Sequence, residues 1–174
     1  MEQTVWVIVV TGPVGVGKTS VGQALSKLLG GHDIPHAFVD MDQLRWCNRA
    51  PADDPFNMRL GMRNLAQVWA NYRAAGAERL VVADVIEQQA DVDAYHASIP
   101  GADVAVVRLR AAVPTIHARL TGRETAASLP WYLERAVVLA AQMERDSLED
   151  FVVDTDDIDI DALATTILAR VGWL

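Results

Sequence analysis

The eight residues Gly12-Pro13-Val14-Gly15-Val16-Gly17-Lys18-Thr19 meet every fixed position of the spacing G-x-x-x-x-G-K-[ST]. They follow the apolar run 5–10 and precede an amphipathic stretch over 19–29, the strand and helix between which such a loop must sit. Glycine permits backbone turns closed to other residues. Successive N–H groups then surround phosphates at the positive end of the following helix. Lys18 reaches the outer phosphates, the Thr19 hydroxyl coordinates Mg²⁺, and Ser20 beside it is expected at the nucleotide with the rest of the loop. The spacing therefore predicts a bound nucleoside triphosphate.

Further candidates lie where the other apolar runs end. Val39 is followed by Asp40-Met41-Asp42, and the run 80–83 by Asp84. Of Asp40 and Asp42, one is expected to support Mg²⁺ and the other to accept a proton from an acceptor hydroxyl. Asp42 is also placed to cap a short helix over 43–49. Asp84 is expected at the metal or the acceptor, and Glu87 as a capping-box partner. Arg119 and Arg123 lie four apart, on one helix face if the helix reaches that far, where guanidinium groups can close over phosphates. The segment 42–76 is rich in Arg and Trp; Arg45, Arg59 and Arg63 are candidates for holding an acceptor, whereas Trp69 reads as core.

These residues need elements to position them. Apolar runs at 5–10, 36–39, 80–83, 104–109 and 151–153 alternate with amphipathic stretches at 19–29, 55–75, 113–120, 131–148 and 159–171. Continuous Val/Ile/Leu runs suit strands buried on both faces, and the alternation predicts an α/β fold with a parallel sheet. Ligands of such sheets sit beyond the carboxyl ends of the strands, where the polar candidates lie.

The chain has 174 residues, of which 51% are hydrophobic and 22% charged, in the range of one globular domain. A net charge of −8 argues against nucleic acid as partner. The single cysteine, Cys47, allows no internal disulfide and reads as an idle or buried thiol. No run has the length of a membrane span and the N-terminus lacks a signal-peptide pattern, so a cytoplasmic protein, monomer or homodimer, is expected. The acidic cluster Asp154, Asp156, Asp157, Asp159 and Asp161 lacks the glycine and terminal glutamate of a calcium loop. It reads as a turn plus a helix cap.

With Gly12–Thr19, Asp40-Met41-Asp42, the strand end Val82-Ala83-Asp84 and the pair Arg119 and Arg123 in place, the chain resembles the small P-loop kinases: shikimate kinase, gluconate kinase, adenylylsulfate kinase and chloramphenicol phosphotransferase. The resemblance implies a P-loop NTPase three-layer fold, with a five-stranded parallel sheet of order 2-3-1-4-5, helices on both faces and a small lid at about 119–131. It implies ATP and Mg²⁺ as cofactors and transfer of the γ-phosphoryl group to a hydroxyl of a small molecule. By shikimate kinase Asp40 would be the metal residue and Asp42 the base; by chloramphenicol phosphotransferase Asp40 would be the base. The strand ending Ala83-Asp84-Val85 lacks the glycine cluster that shikimate kinase uses at its acceptor, which favours a natural-product or antibiotic acceptor. The alternative is an accessory P-loop NTPase that hydrolyses ATP without an acceptor.

Overall fold

A computed structural model describes residues 4–174. The apolar runs form five strands: β1 (Val5–Thr11), β2 (His36–Asp40), β3 (Arg79–Ala83), β4 (Ala102–Arg110) and β5 (Phe151–Asp154). All pair in parallel, in the order β2-β3-β1-β4-β5. Around the sheet pack α1 (Lys18–Gly31), α2 (Met41–Leu44), α3 (Met58–Ala74), α4 (Gln89–Ser98), α5 (Val113–Arg123), α6 (Leu129–Asp146) and α7 (Ile160–Arg170). The fold is the P-loop NTPase three-layer arrangement that the resemblance implies.

Side chains of β1 alternate between two cores because successive residues of a strand face opposite sides. Ile8 and Val10 pack with Leu25 and Leu29 of α1 and Ile167 of α7, whereas Val5, Val7 and Val9 pack with Leu65 and Trp69 of α3 and Tyr95 of α4. Trp69 is thus a core residue, as expected. A third, smaller core joins Ile116 and Leu120 of α5 to Ala136 of α6, with Val14 of the phosphate loop against it. The segment read as a lid is therefore seated on the loop. It comprises the last turns of α5, a link over 124–128 and the start of α6.

Parallel register aligns the strand ends: Asp40 stands beside Ala83, and Val10 beside Ala83 and Val107. The catalytic candidates of β2 and β3 and the phosphate loop after β1 therefore share one edge of the sheet.

Local differences from the sequence expectations have physical causes. Asp40, not Asp42, caps the helix after β2: its backbone is extended and its Oδ1 accepts from the Asp42 N–H at 3.0 Å. That helix stops at Leu44 rather than continuing to 49, because side-chain amides take its last carbonyls. Asn64 Nδ2 donates to Leu44 O at 2.7 Å, and Asn57 Nδ2 to Arg45 O and Cys47 O at 3.1 and 2.9 Å. The capping box of α4 is formed by Gln88 and Asp91, and Glu87 pairs elsewhere. Helix α4 itself was not legible as an amphipathic stretch, since Tyr95 is its one fully buried residue. Cys47 is exposed.

Candidate active site

The phosphate loop departs from ordinary backbone where the motif requires it. Gly12 has φ 146°, and a Cβ there would lie 2.6 Å from the Leu109 carbonyl oxygen, so only glycine fits beside β4. Gly17, with φ 107°, precedes α1 and leaves the helix start without a side-chain cap. A Cβ built on Gly17 would meet nothing within 4 Å. The N–H groups of the first turn thus face open space at the positive end of a fourteen-residue helix. Such a cradle fits phosphate oxygens.

Lys18 curls over this loop, its Nζ donating to Gly12 O at 3.0 Å and Pro13 O at 3.2 Å. Desolvation lowers its pKa from the ordinary 10.5 to about 8, against the opposing pull of Asp42, Asp84 and Asp40. Thr19 Oγ1 donates to Asp40 Oδ2 at 2.7 Å. One hydroxyl and one carboxylate in contact beside a phosphate cradle form a donor set that suits Mg²⁺, a hard cation that keeps several waters. Among the described residues no group of three or more His, Cys, Asp or Glu side chains is arranged to hold a metal by itself. A metal here would need the nucleotide's own oxygens.

Asp42 projects from the first turn of α2 with its side chain 77% exposed, 3.7 Å from Arg45 Nε. It is the carboxylate of the pair without a hydroxyl partner. Asp84, in contrast, is buried and takes three donors: Arg45 Nη2, Tyr95 Oη at 2.7 Å and the Val85 N–H at 2.8 Å. Burial pushes its pKa up, opposed by Arg45, Tyr95 and the Val85 amide. Three donors suit an ionised carboxylate. Arg45 is held further by Met41 O at 3.1 Å and lies against Met58 Sδ.

The remaining arginines separate by partner. Arg119 spans the loop and the turn after β5: Nη1 donates to Val16 O at 2.9 Å and Thr155 Oγ1 at 3.1 Å, and Nη2 to Thr155 O at 3.2 Å. Helix α5 does continue to Arg123, whose Nε lies 2.7 Å from Glu124 Oε1 and whose guanidinium sits over the Tyr132 ring. Arg59 is exposed and pairs with Asp53 at 2.9 Å and Asp54 at 3.6 Å. Arg63 is exposed and makes no ion pair among the described residues. In the acidic cluster, Asp154 pairs with Arg110, Asp156 accepts from Ala112 N, and Asp159 caps α7.

Three further side chains, Arg135, Gln142 and Tyr95, reach this edge. Arg135 of α6 pairs with Glu87 and stacks on Phe56, its guanidinium carbon 5.6 Å from the ring centroid. Gln142 of the same helix donates to Glu87 O at 2.9 Å. Tyr95 reaches Asp84 from a helix with no legible pattern. The glutamate and arginine lie 48 residues apart, and only the tertiary fold joins them.

Several solved structures share this architecture. A gluconokinase from Sinorhizobium meliloti is 25% identical with a TM-score of 0.64, covering 99% of this chain and 96% of its own. The APS kinase of Mycobacterium tuberculosis, solved with AMPPNP and APS, is 20% identical with a TM-score of 0.67, covering 98% and 99%. A tunicamycin resistance protein of Deinococcus radiodurans is 19% identical with a TM-score of 0.62, covering 97% and 96%. No curated protein matches the chain. The solved structures that it resembles include small-molecule kinases. No helix among the described residues is long and apolar enough to cross a membrane. Residues 8–147, with the phosphate loop and both edges of the site, match the AAA domain family, and the chain belongs to that family.

Proposed function

We propose that the protein is an ATP- and Mg²⁺-dependent kinase that transfers the γ-phosphoryl group to a hydroxyl of a small molecule. The observation that carries this reading is the division of labour between two neighbouring carboxylates. Asp40 is engaged by Thr19 Oγ1 at 2.7 Å, while Asp42, two residues on, stands exposed without a hydroxyl partner. A pure ATPase needs the first arrangement, for metal support, but has no use for a second, solvent-exposed carboxylate beside it.

In this mechanism Gly12 to Ser20 hold the triphosphate through backbone N–H groups and the α1 dipole. Thr19 and Asp40 would hold Mg²⁺, which would supply positive charge to offset that of the phosphates. Asp42 takes the proton of the acceptor hydroxyl as its oxygen bonds to the γ-phosphorus. The bond from that phosphorus to the β,γ-bridging oxygen breaks, and ADP leaves with the electron pair. Lys18 offsets the charge gathering on the bridging side. Arg119 ties the loop to the turn after β5, and Arg123 is near enough to lower the Lys18 pKa, so it would sense the same phosphates. Asp84 acts through Arg45, which it orients, rather than at the metal. Arg59 and Arg63 lie along the outer wall of the acceptor segment.

The test is a γ-labelled ATP assay over a panel of hydroxylated acceptors. Label must appear on an acceptor, and Asp42→Asn must lower its rate by about 10²–10⁴ while nucleotide affinity holds. Label released only as inorganic phosphate would refute the kinase reading and favour the accessory ATPase.

A further inference from the structure

Two of the three expected acceptor-binding arginines, Arg45 and Arg59, are already neutralised by the chain's own carboxylates, whereas Arg63 has no ion-pair partner among the described residues. Contacts close a ring beyond the phosphate loop: Asp42 to Arg45, Arg45 to Asp84 and Met58, the 84–87 turn to Glu87, Glu87 to Arg135, and Arg135 to Phe56, two residues before Met58. Within the ring, two guanidinium groups face Asp42, Asp84 and Glu87, with Asp40 adjoining. Arg59, outside it, is claimed by Asp53 and Asp54. No hydrogen bond or ion pair joins Arg49 or Arg63 to the ring among the described residues.

Recognition of a carboxylate, sulfate or phosphate on an acceptor needs a guanidinium fork free to accept it. Within the ring an anion would have to displace Asp84 or Glu87. Displacing Asp84 strands a buried carboxylate with one donor fewer, which is costly. Asp42 beside Arg45 adds like-charge repulsion, a means of rejecting the wrong ligand. What the ring offers instead is carboxylate oxygen to accept from hydroxyls, and the Phe56 ring, 48% exposed. Trp46, 82% exposed on the same loop, supplies a second apolar face.

We infer that the acceptor is an uncharged, polyhydroxylated molecule with a flat or apolar face, and that the paired carboxylates Asp84 and Glu87 exclude anionic acceptors. This rests on the kinase reading and narrows it to one substrate class.

The decisive variants remove the neutralising carboxylate and leave the arginine. Binding is measured by calorimetry on protein saturated with AMPPNP and Mg²⁺, with gluconate and shikimate as anions and glucitol and methyl shikimate as uncharged counterparts. In the native protein neither anion should bind more tightly than its counterpart. Glu87→Gln, which frees the partly buried Arg135, should tighten at least one anion by about tenfold relative to its uncharged counterpart. Asp84→Asn, with its fold checked by circular dichroism, should act in the same direction through Arg45. Native preference for an anion, or a Glu87→Gln protein that gains no anion affinity, would overturn the inference. The labelled-ATP panel separates the two readings. Label on an uncharged acceptor supports both; label on an anionic one leaves the kinase and removes this inference; label on phosphate alone removes the kinase and the inference with it.

Discussion

Raising the pH should weaken nucleotide binding through Lys18 alone. Desolvation over the phosphate loop holds its pKa at about 8, well under its ordinary 10.5. Phosphate oxygens favour the ammonium, so the bound form keeps its proton across the range in which the free protein loses it. The apparent dissociation constant then grows with the neutral fraction of the free protein. Between about pH 7.5 and about pH 9.5 that fraction rises from roughly a quarter to nearly all, and affinity should fall roughly 25-fold. Calorimetry with AMPPNP in buffers of different ionisation heat gives both affinity and proton uptake, the latter near half a proton at about pH 8. Lys18→Arg, charged throughout, should flatten the profile. Stability of the free protein should respond in the opposite direction. Because the folded pKa is depressed, the buried ammonium costs stability below about pH 8, and that cost fades as pH rises toward 10.5. Native affinity that is flat across this window, or a Lys18→Arg profile with the same slope, would refute the reasoning.

Other perturbations have comparably direct readouts. Tyr95→Phe removes one of three donors to buried Asp84 and should lower unfolding free energy by about 1–3 kcal/mol, measured by urea titration. Asp40→Asn should raise the Mg²⁺ concentration needed for half-maximal activity far more than it changes the acceptor KM, because Thr19 would lose its carboxylate partner. Arg119→Ala frees Val16 O and Thr155 and should weaken nucleotide binding by about tenfold, a readout that loss of a mere surface charge would not move. Gly22→Ala drives a Cβ to 2.4 Å from the Phe38 ring and should destabilise by about 1–3 kcal/mol in thermal unfolding, with nucleotide affinity per folded molecule unchanged.

Much of this protein is legible along the chain because its determinants are local. The phosphate loop is a contiguous run whose glycines and lysine carry fixed backbone tasks, so Gly12 to Thr19 could be placed without knowing a single long-range contact. The strands are equally visible: a strand buried on both faces must be largely apolar, and β1 is apolar from Val5 to Val10 and β4 from Val104 to Val107. Strand ends then locate Asp40, Asp42 and Asp84 at one edge, since parallel strands present their carboxyl ends together.

What those residues face is another matter, because partners are set by packing across distant segments. Nothing around Asp84 announces that Arg45, 39 residues away, and Tyr95, on an unpatterned helix, would occupy its oxygens. Nor does Arg135 announce Glu87 and Phe56. The sequence alone determined that the chain cradles phosphate, and which carboxylates stand near it. Only the tertiary structure decided which of those carboxylates remain free and which arginines are already spoken for, because charge neutralisation depends on angstrom-scale approach between elements that no spacing along the chain encodes.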